Sequence, residues 1–468
     1  MKKYTKIISL AMAAALTIGT FSACGKKAAD TDDQGRTIIN VGNYPTKEGQ
    51  FKDNFDAKIA KFETDNPDVK VNGDQWTFDL KSFYPKAAGG QLPTVFQSNF
   101  TEASQIIASG YSADLTDVLK KYNLYDKFNK DILKIVSKDD KVYSFPFNAY
   151  ALGIAYNVDL FEKAGLMEAD GTPKQPKDWE EVREFAVKIK EKTGKPGFVF
   201  PSSNNAGGWM FMPLAWSYGV EFMKQGDDGK WKATFNTPEC TAALQYIKDL
   251  KWKYDVLPGN ALIDLTEYYK QYGTDNAGML IAPGSATSNV SQYGMDVNKV
   301  GALAMPKGPK KHVTLLGGAI YSVSAAATEK QIDAAVRWIK MAYNPDLTED
   351  VKTIGNADID EQIDEGEMIG TNKLNVWNKD ADSVKYLNQL NAQRANANIN
   401  HVKLYNDFVA DMGDCELRAE EPVCAQELYG TLDNCIQEVL TSKDADCAAL
   451  LEKACSDFQK NYLDNIEF

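Results

Sequence analysis

Histidine is almost missing from this chain: only two occur in 468 residues, His312 and His401. Neither sits in a His-x-Glu or His-Glu-x-x-His arrangement, so histidine-ligated zinc and histidine base catalysis have little to build on. Gly-x-Ser-x-Gly, Gly-x-x-x-x-Gly-Lys-Ser/Thr and Gly-x-Gly-x-x-Gly are absent, which removes the hydrolase elbow, the P-loop and the dinucleotide fingerprint. No Cys-x-x-Cys pair occurs, which speaks against zinc ribbons and thioredoxin-type redox centres. A basic surplus is also lacking. Against 52 Lys+Arg stand 65 Asp+Glu, a net charge of −13, and a nucleic-acid binder needs a basic face. Acids this numerous always allow a carboxylate pair, yet none stands out by spacing. The expectation is a protein that is not an enzyme and carries no cofactor.

What is present first is an address. Lys2, Lys3 and Lys6 precede an apolar or small run from Ile7 to Phe21, shorter than the roughly 20 residues of a membrane span. It ends in Phe21-Ser22-Ala23-Cys24-Gly25. Two small residues before a cysteine resemble a bacterial lipobox, although Phe21 departs from the usual Leu or Val. The alternative is an ordinary signal peptide with Cys24 incidental. The expected organisation is a signal peptide over 1–23 and a lipid-anchored polar linker over 24–36, tethered to the membrane through acylated Cys24 on its extracytoplasmic face. No later run reaches 18 apolar residues. Cys240, Cys415, Cys424, Cys435, Cys447 and Cys455 are then compatible either with one or two disulfides among the C-terminal helices or with buried thiols.

Thr37–Val41 is short and β-branched and reads as a strand. Phe51, Phe55, Ile59 and Phe62 recur at helical spacing, Asn66-Pro67 ends that helix, and Val69–Val71 alternates as a second strand. Strand, helix, strand predicts a βαβ unit and an α/β fold. The alternation continues with strands at 94–96, 151–156, 198–200 and 278–281 and helices at 115–122, 128–136, 179–193, 237–254 and 332–343. Residues 344–376 read as acidic loops, and the last 70 or so as mostly helical.

The order of motifs resembles the extracellular solute-binding proteins of ABC transporters, in the branch that includes maltose-binding protein. Phe62-Glu63-Thr64-Asp65-Asn66-Pro67-Asp68-Val69-Lys70-Val71 is similar to that family's helix–Asn-Pro–strand signature. Leu92-Pro93-Thr94-Val95, Gly110, Asp114-Leu115-Thr116 and Phe145-Pro146 follow in register. So do Ala155-Tyr156-Asn157-Val158-Asp159-Leu160-Phe161, Pro176-Lys177-Asp178-Trp179, Ala277-Gly278-Met279, Met305-Pro306 and Gly317-Gly318. The resemblance implies a two-lobed periplasmic-binding-protein-like (type II) α/β fold with a hinge and a helical C-terminal region. It places lobe 1 at 37–148 and 306–344 and lobe 2 at 149–305 and 345–468, with crossings near Tyr150 and Met305. It further implies a monomer that closes its lobes on a ligand and delivers it to membrane permease subunits.

Sugar recognition needs aromatic faces for the apolar ring C–H groups and short polar side chains for the hydroxyls. Tyr44, Asn99, Phe100, Asn148, Tyr150, Asn205 and Trp209 fall in loops just beyond expected strand ends, where open α/β sheets place ligands. They are the candidate contacts for a carbohydrate, with an oligosaccharide favoured. Relatives carry a cleft Trp where this chain has Ser285, and Trp377 is a candidate to compensate. The rival reading keeps the fold with a polyamine or a peptide as ligand. A calcium loop is a last possibility. Asn356, Asp358, Asp360, Gln362, Asp364 and Glu367 match its ligand spacing, but Glu361 stands where the turn requires Gly.

Overall fold

The computed structural model describes residues 30–286 and 290–466; the expected signal peptide, Cys24 and the side chain of Ser285 lie outside the described residues. Asp30–Arg36, expected as a loose linker, is closed into a turn. The Asp32 carboxylate accepts bonds from the backbone of Gln34 and Arg36 and from the Arg36 guanidinium.

The expected βαβ start is present. Thr37–Val41 leads through the helix Gln50–Asp65 to Val69–Gly73, which pairs with it in parallel. Val95–Asn99 joins the other side of Thr37–Val41. Two long strands then dominate the sheet, Ser144–Asn157 and Val313–Val323. They pair with one another antiparallel, from Leu316 opposite Ala151 to Ser322 opposite Ser144. Ser144–Asn157 also pairs with Met279–Pro283 and Val300–Leu303, and Val313–Val323 with Val95–Asn99 and Glu416–Arg418.

The buried side chains fall into two large apolar cores. One contains Ile39, Phe62, Phe100, Phe145, Ile320 and Trp338. The other contains Ile154, Trp179, Trp216, Ile281, Leu432 and Phe458. Both long strands run through both cores: Phe145 and Ala149 belong to the first and Ala151 onward to the second, while Val313 and Leu315 belong to the second and Leu316 and Ile320 to the first. Along Val313–Val323 the change of core falls between Leu315 and Leu316, whereas the expected crossing was near Met305. The tail is shared as well. Leu374, Val376, Trp377 and Val384 pack in the first core, and Met368 with residues from Val402 onward in the second.

Two other expectations change. Residues 198–200 form no strand, because their amides bond to different partners: Phe198 N–H to the Val256 carbonyl and Val199 N–H to that of Met279. The acidic stretch after 344 is not a loop. It holds the helix Glu349–Asp364, capped by Thr348, with Val351, Gly355 and Ile359 buried at four-residue spacing. A helix turns the acids at 356–364 around its axis, so the calcium loop does not form, and no group of three or more candidate ligands is found among the described residues. The six described cysteines are unpaired thiols. Among the described residues no helix is long and apolar enough to cross a membrane.

Where the long strands cross between cores, side chains are replaced by glycine for want of room. A Cβ on Gly317 would lie 2.2 Å from the Tyr150 ring, and one on Gly318 would lie 2.4 Å from the Asn148 carbonyl oxygen and 2.5 Å from the Phe100 ring. Gly318→Ala is expected to cost about 1–3 kcal/mol, read as a lowered urea midpoint at unchanged slope. Wild-type stability would show that the strands do not approach this closely.

Candidate functional site

Between the two cores, beside the strand crossing, lies a cavity of about 420 Å³. That is within the range of small-ligand sites. Three parts of the fold line it.

The first is the end of Val95–Asn99. Asn99 leaves the strand and stands at the start of the helix Phe100–Ala108. The Phe100 ring turns inward against Gly318, so the helix is held on the sheet and its first turn carries Thr101 to the cavity. The second part is the crossing itself. Asn148 and Tyr150 share one face of Ser144–Asn157 by strand alternation, opposite Ala319 and Gly317.

The third part belongs to the second core. Asn204 and Asn205 both adopt left-handed backbone, φ 54° and 68°, a conformation asparagine tolerates better than most residues. This turn starts the helix Ala206–Ser217. The Asp433 carboxylate holds its N-terminus by accepting from the amides of Asn205 and Gly208, each at 2.7 Å. Gly208 is needed because a Cβ would lie 2.3 Å from the Tyr429 carbonyl oxygen. Trp209 is thereby set, half-buried, at the cavity wall beside Tyr429, Gln426 and Glu420.

Glu420 ties the walls together. Its carboxylate accepts from Tyr429 at 2.6 Å, from Thr101 across the cleft, and from Trp209. Gln426 reaches the other way, its amide N–H₂ lying 3.4 Å from Glu102 Oε1 while its oxygen accepts from Asn205 at 3.0 Å. Burial raises the pKa of Glu420, and burial followed by the nearby Glu420 charge pushes Glu102 up to about 7. Burial also pushes the Tyr150 hydroxyl well above its ordinary range. No Lys or Arg lines the cavity among the described residues.

The structure brings Asn99, Asn148, Tyr150, Asn205 and Trp209 to this one cavity. It places three other candidates elsewhere. Phe100 is in the first core, 5% exposed. Tyr44 packs edge-on against Phe55 and donates to Asp56. Trp377 stacks on Phe128 with ring centroids 4.1 Å apart and meets Phe145 edge-on. Thr101, Glu102, Glu420, Gln426 and Tyr429 were not singled out by sequence reasoning. Glu420 is one acid among 65, and no local pattern marks it.

The arrangement offers aromatic faces, amide groups and the half-buried Glu420 carboxylate, with no cation in the lining among the described residues. That is hydrogen-bonding chemistry for hydroxyls or amines.

The family model for bacterial extracellular solute-binding proteins matches residues 48–349. A putative binding protein of Brucella abortus is 26% identical over 294 residues, 60% of this chain, and the match spans 66% of that relative's length. The sn-glycerol-3-phosphate-binding periplasmic protein of Escherichia coli is 23% identical over 330 residues, 66% of this chain and 72% of the relative. The crystal structure of the cyclic alpha-maltosyl-1,6-maltose binding protein from Arthrobacter globiformis superposes with a TM-score of 0.66 at 22% identity, covering 91% of this chain and all of that one. At that identity the likeness speaks for the fold.

The raised Glu102 has a consequence for stability. Its folded pKa of about 7 lies above the ordinary carboxylate value of 4.5, so between these values the native state binds more protons than the unfolded one. Stability must therefore fall as pH rises through this window, by on the order of 3 kcal/mol. Glu102→Gln is expected to flatten the profile between pH 5 and 8 in denaturant titrations. An equally steep decline in the variant would remove Glu102 as its source.

Proposed function

The chain belongs to the bacterial extracellular solute-binding proteins, and from that premise we propose that it captures an oligosaccharide for an ABC transporter by closing its two lobes on the ligand. The observation that carries this reading is the cavity between the two cores, with Trp209, Tyr150 and Tyr429 among amide side chains. Pyranose rings stack their C–H faces on such rings, while Asn99, Asn148 and Asn204 meet the hydroxyls. The two-strand crossing supports hinge closure, since both lobes share it. Presentation of the closed lobes to permease subunits then requires no catalytic residue in this chain.

The absence of Lys and Arg from the lining among the described residues, with Glu420 part of it, supports a sugar without an anionic group over a phosphate ester. A phosphate there would face a carboxylate without a cation to pair it. Membrane attachment through an acylated Cys24 belongs to the same reading and is supported by the sequence around that residue.

The test is calorimetric titration against a panel of oligosaccharides, with glycerol 3-phosphate as control. One glycan class is expected to bind, and glycerol 3-phosphate to give no heat. Trp209→Ala is expected to weaken the glycan at least tenfold, about 1.4 kcal/mol. Trp209→Phe should retain more affinity, since it keeps a stacking face and loses only the bond to Glu420. Wild-type affinity in Trp209→Ala would sink the site. Cys24→Ser is expected to shift the protein from the membrane fraction to the soluble one, and unchanged fractionation would refute the anchor.

A further inference from the structure

The cleft has a second compartment. Thr101 and Gln426, which line the main cavity, also line a narrower one of about 180 Å³. Its walls come from both sides of the cleft. Leu80, Tyr84, Glu102 and Gln105 stand on the first side, and the segment Glu421–Glu427 on the second.

Two of its lining residues each carry a polar atom that is buried without a hydrogen-bond partner, Glu102 Oε2 and the Tyr84 hydroxyl. Glu102 itself is only 6% exposed. An unpaired buried carboxylate oxygen is costly, because its hydration is lost and nothing replaces it. The rest of the lining does not relieve it. No Lys or Arg lines it among the described residues, Glu421 is already paired with Arg418, and Glu427 adds a further acid. Each helix N-terminus here also has its own acid in the first turn, Glu102 for Phe100–Ala108 and Glu427 for Ala425–Thr441. What the compartment lacks is a compact donor of several N–H bonds carrying positive charge.

We infer that this compartment receives a primary ammonium group of the ligand, held by Glu102 Oε2 and the Tyr84 hydroxyl, so that the cleft selects an amine-bearing glycan over a neutral or N-acylated one. An ammonium brings three donors and a charge to the two orphaned atoms, whereas a sugar hydroxyl brings one donor and no charge. The main cavity, with Trp209 and Tyr150, stacks the adjoining ring. The inference rests on the oligosaccharide reading for the rest of the ligand, although the ammonium chemistry alone would equally suit a polyamine.

The experiment is calorimetric titration of the full chain with four probes: a glucosamine trimer, its fully N-acetylated form, a glucose trimer and spermidine. The glucosamine trimer is expected to bind at least tenfold more tightly than the acetylated and neutral trimers. Glu102→Gln is expected to bring that ratio close to one, and Tyr84→Phe, which removes only the hydroxyl, to lower it in a chain with its packing intact. A wild-type ratio within twofold, a ratio that survives Glu102→Gln, or no binding of any amine-bearing probe overturns the inference. Binding of the neutral trimer without an amine preference would do so while leaving the oligosaccharide reading standing. Binding of spermidine and of no glycan would have the opposite effect: the ammonium site would stand and the oligosaccharide reading would fall.

Discussion

The close approach of two long antiparallel strands governs this molecule. Ser144–Asn157 and Val313–Val323 exchange main-chain hydrogen bonds from one apolar core into the other. The approach is possible only because Gly317 and Gly318 present no side chain where Tyr150 and Phe100 lie. Three properties follow from this packing. The Tyr150 ring is fixed over one glycine at the edge of the cleft. Phe100 is fixed over the other, which sets where the helix Phe100–Ala108 begins and therefore where Thr101 and Glu102 point. The two strands form a ladder that bends and twists more readily than it shears, because shear would break the ladder bonds, and the tail segment 368–402 crosses between the cores beside them.

The parts of this design that were legible in the sequence are the local ones. Trp179–Thr193 could be bounded because Glu180 and Glu181 stand in its first turn and Lys190 and Lys192 in its last, as the helix dipole favours. Asn148, Tyr150, Asn205 and Trp209 could be grouped because strand ends and family motifs locate the cleft side of each lobe. The helix Glu349–Asp364 was hidden because its buried stripe is thin: Val351, a glycine and Ile359. Gly355 gives no apolar signal, yet its missing side chain is what admits Leu387, whose Cδ2 would lie 2.5 Å from a Cβ there. Trp377 illustrates the converse. A tryptophan flanked by asparagines reads as a surface platform, and only the tertiary pairing with Phe128 and Phe145 reveals a core residue.

Glu420 could not have been found from sequence, for a physical reason. Its role comes from three donors at distant places in the chain, Thr101, Trp209 and Tyr429, and nothing in the adjacent sequence encodes that convergence. The same remoteness makes it useful. A carboxylate that accepts from both sides of a cleft holds them in register without forming a rigid core contact, and its bonds are of a kind that ligand hydroxyls can replace.

Glu102 and Glu420 also divide the work of carrying charge in a low-dielectric setting. At Glu420 burial raises the carboxyl's pKa, and the bonds from Thr101, Tyr429 and Trp209 oppose that shift. Glu102 is approached by Asn99, by its own backbone amide and, at 3.4 Å, by Gln426, yet one of its oxygens is unpartnered and a like charge lies nearby. The chain thus keeps one carboxylate satisfied by its own side chains and another that is not. An apolar residue at that helix position would remove the desolvation cost of the unpartnered oxygen at the loss of the bonds the other oxygen makes. Retaining an acid there is destabilising to the empty protein. That cost is recovered when a ligand supplies the missing donors, so the strain at Glu102 is converted into binding energy for the ligand that fits it.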